Sequence, residues 1–165
     1  MTAVRPSCII LVGPPGSGKT AYAMNCKIHE PDVQVVSADD YFKQPDGTLD
    51  IDPKRIISDM TLAHKDCRAR FRRIVGRKQT VIVDNFNATK DNRDYYVKYA
   101  RRNGYNVMIV VMKFDPEEAR ARSAFRNMNP ETFDKLVKSI DIEHGVYILP
   151  ATSKDETPLL AAKFS

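Results

Sequence analysis

The chain has 165 residues, of which 42% are hydrophobic and 28% charged, and its net charge is +5. This length predicts one domain with its own core, and apolar runs no longer than a strand exclude a membrane span, so we expect a cytoplasmic protein. Three widely spaced cysteines exclude a disulfide framework and a zinc site of ordinary spacing.

The first predicted strand, residues 8–12, leads into a glycine-rich loop and a helix over residues 20–30. The loop fills the pattern G-x-x-x-x-G-K-[ST] with Gly13, Pro14, Pro15, Gly16, Ser17, Gly18, Lys19 and Thr20. Its amides are expected to cradle a polyphosphate, while Lys19 reaches the β- and γ-phosphates and Thr20 binds Mg²⁺. A turn that binds nothing is disfavoured, because the required strand precedes the loop and a helix pattern follows it.

Two adjacent carboxylates, Asp39 and Asp40, follow the second predicted strand, residues 33–38. In an open α/β sheet the ligand crevice lies beyond the carboxyl ends of the strands, so we expect both carboxylates near the phosphate loop. Either Asp39 or Asp40 can act as the base for an attacking hydroxyl. Asp-Asp pairs also form turns or cap helices, and we expect one of the two to be structural.

A long helix is predicted over residues 53–75, with Asp52 as its cap and Pro53 in its first turn. Apolar residues at helical spacing, which include Ile56 and Met60, predict that one face is buried. The opposite face is basic and carries His64, Lys65, Arg68, Arg70, Arg72 and Arg73. A basic helix face is most often simply solvated.

The third predicted strand, residues 80–84, is apolar up to its terminal carboxylate, Asp84. A strand of this form typically places its acid near the metal that accompanies the phosphates, so we predict a Mg²⁺ site on Thr20 and Asp84. Asn85 and Asn87 follow on the side of the crevice. Thr89 is expected to cap a helix over residues 90–103, and residues 105–114 form the fourth predicted strand.

The next predicted helix runs from residue 117 to about residue 125 and carries Arg120, Arg122 and Arg126. Arg122 and Arg126 lie four apart and therefore share one face. A pair of arginines placed in this way can clamp the donor phosphates as part of a lid, although a solvated face is the alternative. A further helix is predicted over residues 131–143. Residues 146–165 form a tail without an assigned structure, so the predicted domain covers residues 1–145.

Strands and helices alternate along the chain, which predicts an α/β protein with a parallel sheet. We expect a single-domain P-loop kinase fold, with four to five strands flanked by helices and a helical lid that bears arginines. The phosphate loop, the Asp39 and Asp40 carboxylates and the strand-end acid Asp84 should then lie at one edge of the sheet.

Seven short strings follow one another along the chain: G-P-P-G-S-G-K-T from Gly13, S-A-D-D-Y-F from Ser37, D-P from Asp52, A-H from Ala63 with Arg70, V-I-V-D-N-F-N from Val81, G-Y from Gly104 and R-S-A-F-R from Arg122. In this order and spacing they resemble the P-loop polynucleotide 5′-hydroxyl kinase family, including the kinase domain of phage polynucleotide kinase-phosphatase and related RNA and DNA end-repair kinases. The phosphate-loop string is generic, whereas D-D-Y-F, V-D-N-x-N and R-x-x-x-R together are more restrictive. The resemblance spans residues 9–140.

The resemblance implies specific roles for several of these residues. It makes Asp39 the general base and Arg126 the lid arginine on the donor phosphates, with Arg122 as its companion. It also places Asn85 against the acceptor nucleotide. The predicted acceptor-binding residues are Asp39, Asp40, Arg70, Asn85 and Asn87.

Two positions depart from the phage enzyme. Phe42 stands where that enzyme has an arginine for the acceptor's 3′-phosphate, and Asn85 stands where it has an acid, with Asp84 one place earlier. Related repair kinases carry D-D-Y-F and V-D-N-T-N, so the departures concern acceptor binding rather than the reaction. The phosphatase or ligase modules often joined to such kinases have no room within 165 residues.

We therefore predict a polynucleotide 5′-hydroxyl kinase that uses ATP or GTP with Mg²⁺ and takes RNA or DNA 5′ ends as its substrate. No membrane partner is expected, and the resemblance leaves a phage or viral origin open. One alternative is a P-loop kinase for a nucleoside, sugar or antibiotic alcohol. Another is a non-catalytic nucleotide-binding module of a larger repair protein.

Overall fold

Five parallel strands form the centre of the computed structural model, which describes residues 4–50, 52–124, 129–142 and 146–148. The strands are β1 (Ser7–Val12), β2 (Gln34–Val36), β3 (Val81–Asp84), β4 (Asn106–Met112) and β5 (Val146–Ile148). Their order across the sheet is β2-β3-β1-β4-β5, and every neighbouring pair is parallel. The predicted α/β fold with a parallel sheet is therefore confirmed.

Helices connect the strands as the alternating pattern predicts. They are α1 (Lys19–His29), α2 (Pro53–Gly76), α3 (Lys90–Arg102), α4 (Pro116–Ala124) and α5 (Pro130–Lys138). Two predicted caps are confirmed: the Asp52 side chain accepts a hydrogen bond from the Lys54 amide, and Thr89 forms a capping box with Asn92. Each cap satisfies amides that the first helical turn leaves unpaired.

Side chains of β1 alternate between two apolar layers, one on each face of the sheet. Cys8 and Ile10 face a layer formed with α2 and α3, in which Phe71 and Tyr96 are the largest buried side chains. Ile9 and Leu11 face the opposite layer, which is formed with α1. Burial on both faces explains why β1 is almost continuously apolar.

The chain leaves β1 in the middle of the sheet, between β3 and β4. In doubly wound sheets the crevice beyond the carboxyl ends of the strands, where the direction of winding changes, is the usual ligand site. The loop after β1 therefore opens at the place in this fold where a ligand is expected.

β2, α5 and β5 are three of the segments that differ from the predicted elements. β2 ends at Val36, because Ser37 then caps a short 3₁₀ helix, Ala38–Phe42. α5 ends at Lys138 rather than at residue 143, since the Asp141 amide donates to the Ala88 carbonyl and turns the chain back to the sheet. β5 pairs with β4 from within the segment predicted to be a tail.

Within the described ranges, no helix combines the length and apolar character that crossing a bilayer requires.

Candidate active site

A cleft of about 520 Å³ lies at the carboxyl edge of the sheet. It collects side chains from five separate parts of the chain: the loop after β1, the turn after β2, the end of β3, the first half of α2, and α4. Its lining includes Lys19, Thr20, Asp39, Asp84, Asn85 and Arg122. Residues predicted from distant strings are therefore brought to one place.

The phosphate loop has the backbone that its glycines predict. Gly16 and Gly18 adopt φ angles of 81° and 94°, in the left-handed region that side chains disfavour. No side chain caps α1 at Gly18, as suits a helix end that receives an anion. The Lys19 ammonium is nearly buried and donates to the carbonyls of Gly13 and Pro14 at 2.6 and 3.0 Å. Its charge is thus held against the loop.

Thr20 and Asp84 meet across the cleft floor. The Thr20 hydroxyl donates to the Asp84 carboxylate at 2.9 Å, and Asp84 is 8% exposed. Two hard oxygen donors beside a phosphate loop fit Mg²⁺, which typically binds one or two protein groups together with substrate phosphates. Among the described residues, no group of three or more His, Cys, Asp or Glu side chains could hold a metal by itself.

The two carboxylates after β2 occupy different surroundings. Asp39 lines the cleft, whereas Asp40 forms ion pairs with Lys43 at 2.8 Å and with Arg70 at 3.0 Å. Arg70 also donates to the Ser37 carbonyl and to Asp66. The structure therefore separates a cleft carboxylate, Asp39, from one that ties the 3₁₀ helix to α2.

The asparagines after β3 turn toward the protein interior. The Asn85 side-chain carbonyl accepts from the Ala38 amide at 2.8 Å, and its amide nitrogen lies 3.5 Å from the Cys67 sulfur. Burial raises the pKa of the Cys67 thiol. The Asn87 amide donates to the Leu11 carbonyl at 2.8 Å, and Asn87 is buried. Asn85 still borders the cleft, whereas the bonds of Asn87 join the loop to β1.

Phe42, which replaces the arginine of the phage pattern, is a core residue. It is buried against α2, beneath Tyr41 in an edge-to-face pair with ring centroids 5.3 Å apart. This position therefore anchors the 3₁₀ helix that carries Asp39.

One face of α2 contributes a wall that the sequence patterns did not assign to the site. Ile56, Met60 and His64 line the cleft and lie four residues apart, so they form one row along the helix. Their regular spacing was the available signal, but the apolar pair was assigned to the core and His64 to a solvated face. Burial and Arg68 lower the pKa of His64, while Asp39 raises it.

α4 closes one side of the phosphate loop. A Cβ on Gly16 would lie 2.7 Å from the Ala119 carbonyl oxygen and 2.8 Å from the Arg122 Cβ, so helix and loop are in direct contact. The Arg122 guanidinium donates to the Gly16 carbonyl at 2.9 Å. Arg126, the predicted second lid arginine, lies outside the described residues.

A sequence model described as an AAA domain matches residues 8–141 of this chain. The chain belongs to the AAA domain family. This AAA domain includes the phosphate loop, Asp39, Asp84 and Arg122, and therefore every described part of the cleft.

Solved structures share the fold of this AAA domain at low sequence identity. A putative kinase from Chloroflexus aurantiacus J-10-fl has a TM-score of 0.66 and 17% identity, with 98% of this chain and 93% of that chain covered. A gluconokinase from Sinorhizobium meliloti 1021 has a TM-score of 0.57 and 15% identity, with 92% of this chain and 86% of that chain covered. A chain of the Pnkp1/Rnl/Hen1 RNA repair complex has a TM-score of 0.62 and 20% identity, and the match covers 84% of this chain but 45% of that chain. These likenesses confirm the P-loop kinase fold.

Proposed function

We propose that this AAA domain is a polynucleotide 5′-hydroxyl kinase, which transfers the γ-phosphoryl group of ATP or GTP to the 5′-hydroxyl of RNA or DNA. The observation that carries the proposal is that Lys19, Thr20, Asp84, Asp39 and Arg122 line one cleft. The strings D-D-Y-F and V-D-N-x-N, together with the likeness to a chain of an RNA repair complex, favour a nucleic acid acceptor.

The donor end of the cleft is proposed to hold the triphosphate. Lys19 exchanges its bonds to the Gly13 and Pro14 carbonyls for β- and γ-phosphate oxygens, and the loop amides bind the remaining oxygens. Thr20 and Asp84 would hold Mg²⁺, which would supply positive charge to the phosphates of the donor. Because these groups are already in place, little reorganisation accompanies the reaction.

The acceptor end is proposed to use Asp39 as its base. The 5′-oxygen attacks the γ-phosphorus while its proton passes to the Asp39 carboxylate, and the bond to the β-phosphate oxygen breaks to release the diphosphate. Arg122, and Arg126 with it, neutralise charge on the transferred group. Asp40 and Arg70 support the 3₁₀ helix on which Asp39 stands, and Asn85 positions the backbone at Ala38.

The experiment is transfer of a labelled γ-phosphate to 5′-hydroxyl ends of single-stranded RNA, single-stranded DNA and nicked duplex, with ATP and GTP. We expect Asp39→Asn to lower kcat by about 10²- to 10⁴-fold, since general-base assistance is typically of this size. Nucleotide affinity should stay nearly unchanged, because Lys19 and Thr20 are untouched.

Asp40→Asn is the matched control, since it removes the same charge one residue away. It weakens the ion pair with Arg70 but leaves the cleft carboxylate, so it should lower stability more than the rate of transfer. A rate of Asp39→Asn close to that of the wild type would remove Asp39 from the mechanism.

A second candidate is a kinase for a small alcohol, because Ile56 and Met60 make part of the cleft wall apolar and a gluconokinase shares the fold. Salt distinguishes the two candidates. The KM for a polynucleotide should rise steeply with salt because phosphate contacts release counterions, whereas the KM for a neutral alcohol should not.

A further inference from the structure

The row of α2 side chains that lines the cleft continues beyond it. After Ile56, Met60 and His64, the next residues at the same spacing are Arg68 and Arg72, and both are exposed. Each step of four residues advances about 6 Å along the helix axis. The row therefore leads from the acceptor wall of the cleft out onto the α2 surface.

Both arginines are held against the tyrosines of α3. The Arg68 guanidinium lies over the Tyr95 ring at 4.7 Å from its centroid, and Arg72 donates to the Tyr95 hydroxyl at 2.6 Å. Tyr95 and Tyr99 are stacked, with ring centroids 6.1 Å apart and an interplanar angle of 16°. We call Arg68, Arg72, Tyr95 and Tyr99 the arginine–tyrosine strip.

Arg68 and Arg72 form no ion pair within the part of the chain that the structure describes. Elsewhere on α2, Arg55 pairs with Asp50 and Arg70 pairs with Asp40 and Asp66. The strip therefore presents two positive guanidinium groups that aromatic contacts, rather than acids, hold in position.

This chemistry suits a single-stranded nucleic acid. Arginine charges attract phosphates, while guanidinium planes and partly exposed tyrosine rings offer surfaces on which bases stack. Stacking is largely independent of sequence, since every base has a π face. An acidic peptide would use the charges but would leave the stacking surfaces without a partner.

His64 connects the strip to the site of transfer. It borders the cleft together with Asp39, and both Asp39 and Arg68 are close enough to alter its pKa. A strand whose first nucleotide lies beside Asp39 therefore needs only to follow α2 to reach Arg68 and then Arg72.

We propose that the arginine–tyrosine strip binds the nucleotides downstream of a single-stranded acceptor's 5′ end. This inference rests on the proposed function. The distance from His64 to Arg72 is about 12 Å along the helix. A stacked strand advances about 3.4 Å per nucleotide, so the strip accounts for roughly three or four nucleotides beyond the first.

The test compares Arg68→Gln/Arg72→Gln with the control Lys27→Gln/Arg73→Gln, which removes two exposed positive charges, one from α1 on the other side of the sheet and one from a different face of α2. For the wild type, kcat/KM on 5′-hydroxyl oligonucleotides should rise with length and level off at about five nucleotides. On a ten-nucleotide acceptor, the strip variant should have a kcat/KM about tenfold lower and a salt slope smaller by about 1.4, or about 0.7 for each phosphate that an arginine no longer neutralises. On a dinucleotide, the loss of kcat/KM in the strip variant should be several times smaller. The control variant should have the kcat/KM and the salt slope of the wild type.

A second variant, Arg68→Lys/Arg72→Lys, separates charge from stacking. It should keep the salt slope but lose part of the affinity, since an ammonium lacks the guanidinium plane. Thermal melting and nucleotide affinity establish that each variant is folded.

Equal losses in the strip and control variants, or the same loss on the dinucleotide, would overturn the inference. So would competition by a ten-residue polyglutamate as strong as that by the oligonucleotide. If the wild type phosphorylates oligonucleotides but kcat/KM depends on oligonucleotide length in the same way in the strip variant, the inference about the strip fails and the proposed function stands. If the wild type phosphorylates no oligonucleotide, the proposed function itself fails.

Discussion

Single side chains set the protonation state of the cleft, and His64 has an imidazole that titrates near neutral pH. Burial lowers its pKa below the ordinary 6.5, Arg68 lowers it further, and Asp39 opposes both. The folded protein therefore disfavours the imidazolium, and His64 is neutral at pH 7 and above. Its place beside Asp39 makes this neutral ring part of the acceptor wall.

The lowered pKa predicts how stability depends on pH. Below about pH 6.5 the unfolded chain binds a proton at His64 more readily than the folded protein does. The free energy of unfolding should therefore fall as the pH drops from 7.5 through 6.5, until the folded imidazole is itself protonated. Urea denaturation at pH 7.5, 6.5 and 5.5 measures this slope. His64→Gln should have a shallower one, and identical slopes would show that the pKa of His64 is not lowered.

At the scale of elements, the position of α4 depends on its contact with the phosphate loop. Gly16 fits between the two because it has no side chain: an added Cβ would lie 2.7 Å from the Ala119 carbonyl oxygen. The Arg122 guanidinium bonds to the carbonyl of the same glycine. Any movement of α4 is thus coupled to the loop that is proposed to bind phosphate.

Gly16→Ala should therefore destabilise the protein for two reasons, the left-handed backbone and the clash with α4. Gly47→Ala is a matched control, because Gly47 has a similar φ of 85° but nothing within 4 Å of an added Cβ. We expect the control to lose about 1 kcal/mol of unfolding free energy and Gly16→Ala about 1–3 kcal/mol more. Urea denaturation without nucleotide measures both, and equal losses would mean that α4 yields to the added methyl group at no cost.

The sequence predicts the strands of this protein better than it predicts the contacts of the polar side chains that follow them. β1, β3 and β4 were predictable, because burial on both faces demands nearly continuous apolar runs. The glycine-rich loop was also predictable, since its spacing follows from the backbone geometry that phosphate binding needs. The inward turn of Asn87 was not, because polar residues after a strand can face the cleft or satisfy backbone carbonyls, and only tertiary contacts decide between these. A structural role for one aspartate of the pair was expected, but the partner of Asp40 was not predictable, because Arg70 is distant in sequence.

At the scale of the whole molecule, Arg93 joins three segments that are far apart in the chain. Arg93 is 3% exposed, and its guanidinium donates to the carbonyls of Asn87 and Ala88, both at 2.9 Å. It also donates to the Asp141 carbonyl and carboxylate at 2.8 and 2.7 Å. One buried side chain on α3 thus fixes the loop after β3 and the segment after α5.

Arg93→Met should destabilise the whole fold, because it leaves the buried Asn87 carbonyl without its Arg93 donor and leaves the Ala88 carbonyl with the Asp141 amide alone. An unsatisfied buried carbonyl costs about 1–3 kcal/mol and a lost hydrogen bond about 0.5–1.5 kcal/mol, so we expect a loss of about 2–4 kcal/mol in unfolding free energy, measured by urea denaturation. Asp141→Asn is the control: its side chain is 52% exposed and an amide oxygen can still accept from Arg93, so its loss should be much smaller. If both variants lose the same small amount, the Arg93 bonds to the loop contribute little, and the loop after β3 must be held by Asn87 instead.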